Sequence, residues 1–141
     1  MNLYAESSAV LAWLLGEPAE ETVNAAFDQA EGIIASDLTL VECHRVLIRA
    51  YVTGALGEME ALRRRTLLEA VSAHWTFLKV DREILERARH RMPVEPVRTL
   101  DALHLASALA ARSLVTNLTL LSLDQRVRDN GAALGFDVLP A

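Results

Sequence analysis

Apolar and polar positions along the chain alternate between two rhythms, and each change of rhythm marks a change of element. Short, nearly unbroken apolar runs predict buried strands at about 2–6, 32–36, 76–80, 118–123 and 136–139. Between them, apolar residues recur every three or four positions, predicting helices at about 8–15, 19–30, 38–53, 58–74, 82–91, 100–112 and 125–134. Punctuation supports these limits. Gly54 and Gly135 stop the helices before them, Asp81 is a good N-cap, and Pro93 and Pro96 bound a loop. The helix at 58–74 gathers Met59, Leu62, Leu67, Leu68 and Val71 on one side, while Arg63-Arg64-Arg65 reads as a solvated face. Strands that alternate with helices imply an α/β fold: a short, mainly parallel sheet covered by helices on both faces.

Composition narrows the picture. A length of 141 residues suits one domain, 1–141, and no Pro- or Gly-rich stretch divides it. No apolar run is long enough to span a bilayer, and nothing at the N-terminus resembles a signal segment. With Cys43 as the single cysteine, a disulfide framework and a cysteine-based zinc cluster are both excluded. A cytoplasmic, membrane-free protein is the expectation. The net charge of −5 supplies no global attraction for polyanions, so a nucleic-acid function requires a local basic patch or bound cations.

Four acids carry the chemistry. Glu6 ends the first strand in "YAESSAV", and Asp124 ends "LTLLSLD" where a strand hands over to a helix. Glu42 lies in "LTLVE", which reads as a capping box, and Asp101 falls in the first turn of a helix capped by Thr99. Each has a structural explanation taken alone. Together they do not: the C-terminal ends of parallel strands form one crevice, and the first turns of the following helices lie at the same rim. Four carboxylates sharing a rim repel one another unless a cation sits between them. Hard oxygen ligands without Cys or paired His select Mg²⁺ or Mn²⁺, and an acid-lined magnesium site points to phosphoryl transfer.

The order "YAESSAV", "SDLTLVECHRVL", "RTLDALHLASAL", "LLSLDQRVRDNGAALGF" resembles PIN-domain ribonucleases, and within them the VapC-like toxins of toxin–antitoxin pairs. The resemblance spans nearly the whole chain and implies a three-layer α/β sandwich. It implies Mg²⁺- or Mn²⁺-dependent hydrolysis of RNA, tRNA or rRNA, with a cognate antitoxin as protein partner and a homodimer as assembly. Glu42, Asp101 and Asp124 fall on the family's second, third and fourth acidic positions; Ser8 and Ser122 fall where small hydroxyl residues support the metal site. Glu6 falls on the first, where the family usually has Asp. Its extra methylene lengthens the side chain by about 1.5 Å. Two readings follow: an active nuclease, or a catalytically impaired RNA- or protein-binding module on the same fold.

Other residues rank lower. Arg98, near the acids, is the better candidate for a phosphate contact than the 63–65 run. Trp13 and Trp75 read as packing residues, Cys43 as a small buried one, and His104 as a packed or hydrogen-bonded histidine rather than a ligand. A phosphoacceptor signalling domain would need paired acids at the first strand and a lysine near the last. The chain instead has Ser7-Ser8 beside Glu6 and its only lysine at Lys79.

Overall fold

A computed structural model describes residues 1–141. The order is β1 (Asn2–Ala5), α1 (Ser7–Leu14), α2 (Glu20–Gln29), β2 (Gly32–Ser36), α3 (Asp37–Val52), α4 (Glu58–Ser72), β3 (Thr76–Leu78), α5 (Arg82–Ala88), α6 (Thr99–Arg112), β4 (Leu118–Leu121), α7 (Gln125–Ala133) and β5 (Asp137–Leu139). Every predicted element is present, with shifted ends. The five strands form one parallel sheet in the order β3-β2-β1-β4-β5.

Alternation within β1 sets the layers. Leu3 and Ala5 face a core with Val10, Trp13, Val23, Leu47 and Leu68, contributed by α1 to α4. Tyr4 points the other way, into a core with Leu105, Leu120, Val127 and Phe136 under α6 and α7. The result is a three-layer α/β sandwich. Trp13 and Trp75 are both buried and linked through Phe27, with ring centroids 5.6 and 5.4 Å apart, so they are packing residues.

Four local expectations are corrected. Thr39 and Glu42 do not form a capping box, because α3 starts at Asp37 with the Ser36 side chain accepting the Leu38 N–H. The strand passes into the helix without a loop, which puts Glu42 in its second turn. Likewise Arg98, not Thr99, is the N-cap of α6. The apolar side of α4 is also only partly used: Leu68 is buried, but Met59, Leu62 and Leu67 are exposed. Nor is the arginine run uniformly solvated, since Arg64 donates to the Leu14 carbonyl at 2.6 Å, closing the end of α1.

The strand order creates the crevice. The chain winds outward from β1 to β2 and β3, then returns to lay β4 on the opposite side of β1. Between β1 and β4 the winding direction reverses, and there the helices diverge from the strand ends to leave a cleft. Ala5 pairs with Leu121 in register, so Glu6 and Ser122 emerge side by side at that point.

Candidate active site

A cavity of about 470 Å³ opens at this reversal, and Glu6, Glu42, Asp101 and Asp124 all line it, with Ser7, Ser8, Arg98 and His104. Glu6 and Asp124 come from the ends of β1 and β4; Glu42 and Asp101 come from early turns of α3 and α6.

Glu6 is buried and serves as the N-cap of α1, with one oxygen accepting the Ser8 N–H at 3.1 Å. The same oxygen accepts the Ser8 hydroxyl and, at 2.8 Å, the Ser122 hydroxyl. Both serines are in turn acceptors. Ser8 Oγ takes the N–H groups of Leu123 (2.8 Å) and Asp124 (3.1 Å), and Ser122 Oγ takes that of Asp124 (3.1 Å). These hydroxyls therefore tie the end of β1 to the turn that carries Asp124. The extra methylene of Glu6 lets it reach across to β4.

Asp124 caps α7, its Oδ1 accepting the N–H groups of Arg126 (2.9 Å) and Val127 (3.3 Å). Asp101 accepts the backbone N–H of Arg98 at 3.1 Å and is buried. Their remaining charge meets one cation. Arg98 donates from Nε to Asp101 at 3.2 Å and from Nη2 to Asp124 at 2.9 Å. Hydrogen bonding and charge from Asp101, followed by the charges of Asp124 and Glu6, hold its guanidinium above the ordinary range. The repulsion expected of four clustered acids is thus partly met from within the chain.

Glu42 is held differently. Its Oε1 accepts the Ser7 hydroxyl at 2.9 Å and lies 2.6 Å from His104 Nε2. His104 is buried, and its Nδ1 lies 3.0 Å from the Tyr4 hydroxyl. Three participants escaped the sequence as site residues: Tyr4, Ser7 and His104 as partner of an acid. The only sequence signal was His104 following Asp101 by three positions, on one helix face. Cys43, one residue beyond Glu42, is buried and its thiol is pushed up to about 12, chiefly by burial.

The donor set is hard carboxylate oxygen, which suits Mg²⁺ or Mn²⁺. No three acid, histidine or cysteine side chains stand together as a ready-made cage. Zinc demands such a cage; magnesium takes one or two carboxylates and completes its shell with water. These residues fit a water-rich magnesium site, in which Arg98 engages one oxygen each of Asp101 and Asp124.

The family model that matches the chain is that of the PIN domain, over residues 3–132. No curated protein matches by sequence. Similar solved structures include the sarcin–ricin loop cleaving toxin VapC20 of Mycobacterium tuberculosis, 17% identical over 95% of both chains, TM-score 0.66. A toxin–antitoxin complex from Klebsiella pneumoniae is 18% identical, covering 100% of this chain and 98% of the other, TM-score 0.64. FitAcB from Neisseria gonorrhoeae is 17% identical over 98% and 96%, TM-score 0.65. At these identities the likeness is one of fold.

Proposed function

The chain belongs to the PIN-domain family, and from that premise we propose that it is a metal-dependent endoribonuclease, the toxin of a toxin–antitoxin pair. The observation that carries the reading is the convergence of Glu6, Glu42, Asp101 and Asp124 on one cleft at the reversal of strand order. Asp101, Glu42, Glu6 and Asp124 would hold Mg²⁺ or Mn²⁺, directly or through water. The ion supplies an activated water and charge stabilisation at the phosphodiester. The chain's own residues do the rest. Ser8 and Ser122 fix Glu6, and a carboxylate oxygen not engaged by the ion would accept the proton of the attacking water. Arg98, released from Asp101 and Asp124, offers a forked guanidinium to a phosphate.

RNA is the fitting substrate class because the acid cleft adjoins a basic one. Arg98 and Thr99 also line a neighbouring cavity with Arg89, His90, Arg91 and a single acid, Glu95, so basic residues predominate there and give an acidic chain a local patch for a phosphate backbone. An antitoxin partner is supported by the fold's kinship with the Klebsiella complex and FitAcB, and by exposed Ile48, Tyr51 and Leu62, which border a groove between α3 and α4. A tRNA or rRNA target, a homodimer and action in the cytoplasm complete the reading.

Purified protein with Mn²⁺ should cut RNA to leave 5′-phosphate and 3′-hydroxyl ends, since water and not the RNA 2′-hydroxyl is the nucleophile. Asp101→Asn keeps an oxygen able to accept the Arg98 N–H but removes the charge. It should cost more than the roughly 100-fold that marks the top of the range for outer-shell partners. A 2′,3′-cyclic phosphate product, or a fully active Asp101→Asn, would end this proposal. One observation favours the impaired binding module: a single oxygen of Glu6 is engaged by three donors of Ser8 and Ser122. That module would bind RNA without cutting it.

A further inference from the structure

We propose that His104, oriented by Tyr4, is a positioning residue that fixes the carboxylate of Glu42 in the cleft as an outward-facing anion. The inference rests on the reading of Glu42 as a metal ligand. Its basis is a buried chain of hydrogen bonds from three distant segments. Tyr4 Oη lies 3.0 Å from His104 Nδ1, and His104 Nε2 lies 2.6 Å from Glu42 Oε1. Tyr4 is fully buried and His104 only 1% exposed, so water cannot substitute for either of them.

Two observations put a hydrogen on Nε2. Nε2 lies 2.6 Å from Glu42 Oε1, a separation that two bare acceptors would not keep, while Nδ1 faces the Tyr4 hydroxyl at 3.0 Å. Independently, the Ser7 hydroxyl donates to Glu42 Oε1 at 2.9 Å, so its proton does not point at Nε2, 3.0 Å away. Nε2–H therefore donates to Glu42. Glu42 Oε1 receives two donors, which locks its rotamer and leaves the other oxygen, Oε2, for the cleft.

Mn²⁺ binding by calorimetry, without RNA, tests the assignment on wild type, Tyr4→Phe, His104→Gln and His104→Leu, each with its thermal midpoint. His104→Leu should weaken Mn²⁺ binding by about 10- to 100-fold, as loss of an outer-shell partner does, and Tyr4→Phe by a smaller factor. His104→Gln presents an N–H donor that needs no tautomer control and should recover most of the affinity. A packing role alone lowers midpoints and leaves Mn²⁺ affinity at the wild-type value; that result in folded His104→Leu or Tyr4→Phe overturns the proposal. Imidazole ¹⁵N spectra of wild type should show a hydrogen on Nε2, and a ring whose Nε2 carries none overturns the proposal even if His104→Leu fails to fold. Failure of the two readings looks different. Wild type that binds no Mn²⁺ removes the metal site and this inference with it. Wild type that binds Mn²⁺ as its His104 and Tyr4 variants do removes only the role given to His104.

Discussion

The four acids of the cleft fall into two pairs that are restrained by different means. Glu6 and Glu42 are held by donors fixed in the fold: Ser8 and Ser122 for one, Ser7 and His104 for the other. Asp101 and Asp124 are held at their bases by backbone N–H groups and share a charged partner, Arg98, whose side chain is 64% exposed. Donors packed into the fold are little screened by salt and hold a carboxylate in place. An exposed guanidinium cancels charge but is screened by salt and free to leave. The first pair is thus a permanent frame and the second an exchangeable seat.

The comparison is broken most severely at Ser8. Its hydroxyl donates to Glu6 and accepts two N–H groups from the turn carrying Asp124. Ser8→Ala should cost about 1–3 kcal/mol of stability, because buried donors and an ionised acceptor lose their partner together. Urea melts in the absence of metal check this. A loss below about 0.5 kcal/mol, the range of an ordinary surface change, would show that the frame is not held as described.

Glu6→Asp sharpens the same side with a smaller effect. Aspartate can still cap α1 and accept the Ser8 N–H, but its shorter arm gives up the Ser122 hydroxyl on the neighbouring strand. About 1–2 kcal/mol of stability should go with that charge-assisted bond. Glu6→Gln keeps the reach and the fold but removes the charge, so the stabilisation by Mn²⁺ should shrink. Cleavage by Glu6→Asp where wild type is inert would establish the binding-module reading.

Much of this arrangement was legible in the sequence because it is local. Strand-then-acid-then-helix at Glu6 and Asp124, and the early helical positions of Glu42 and Asp101, follow from apolar rhythm and capping chemistry. That rhythm also told which strand ends share a rim. What could not be read depends on contacts between distant segments or on competition between caps. "SDLTLVE" offers Ser36 and Thr39 as rival N-caps, and the structure uses Ser36 because β2 runs directly into α3. Tyr4 and His104 are 100 residues apart, and nothing in either neighbourhood announces the other. Exposed Met59, Leu62 and Leu67 look like core residues because apolar spacing reports a face without saying what covers it.

Arg98→Met gives the smallest change in stability and the most direct test of the exchangeable seat. Its guanidinium is exposed and both carboxylates keep their backbone donors, so the metal-free midpoint at ordinary salt should move less than in Ser8→Ala. Metal affinity should move instead. With the guanidinium gone, Asp101 and Asp124 keep their backbone donors but lose the cation that competes for their free oxygens. Mn²⁺ should therefore bind several-fold more tightly to Arg98→Met than to wild type, and the advantage should narrow as salt screens the pairs in wild type. RNA should respond with the opposite sign, because a phosphate loses a forked donor: KM rises while binding of the metal alone improves. Ser8 and Glu6 variants cannot produce that split, since they loosen the frame and weaken both. Equal Mn²⁺ affinity in wild type and Arg98→Met at low salt would mean that the guanidinium does not occupy the seat, and the contrast between the two acid pairs would fail with it.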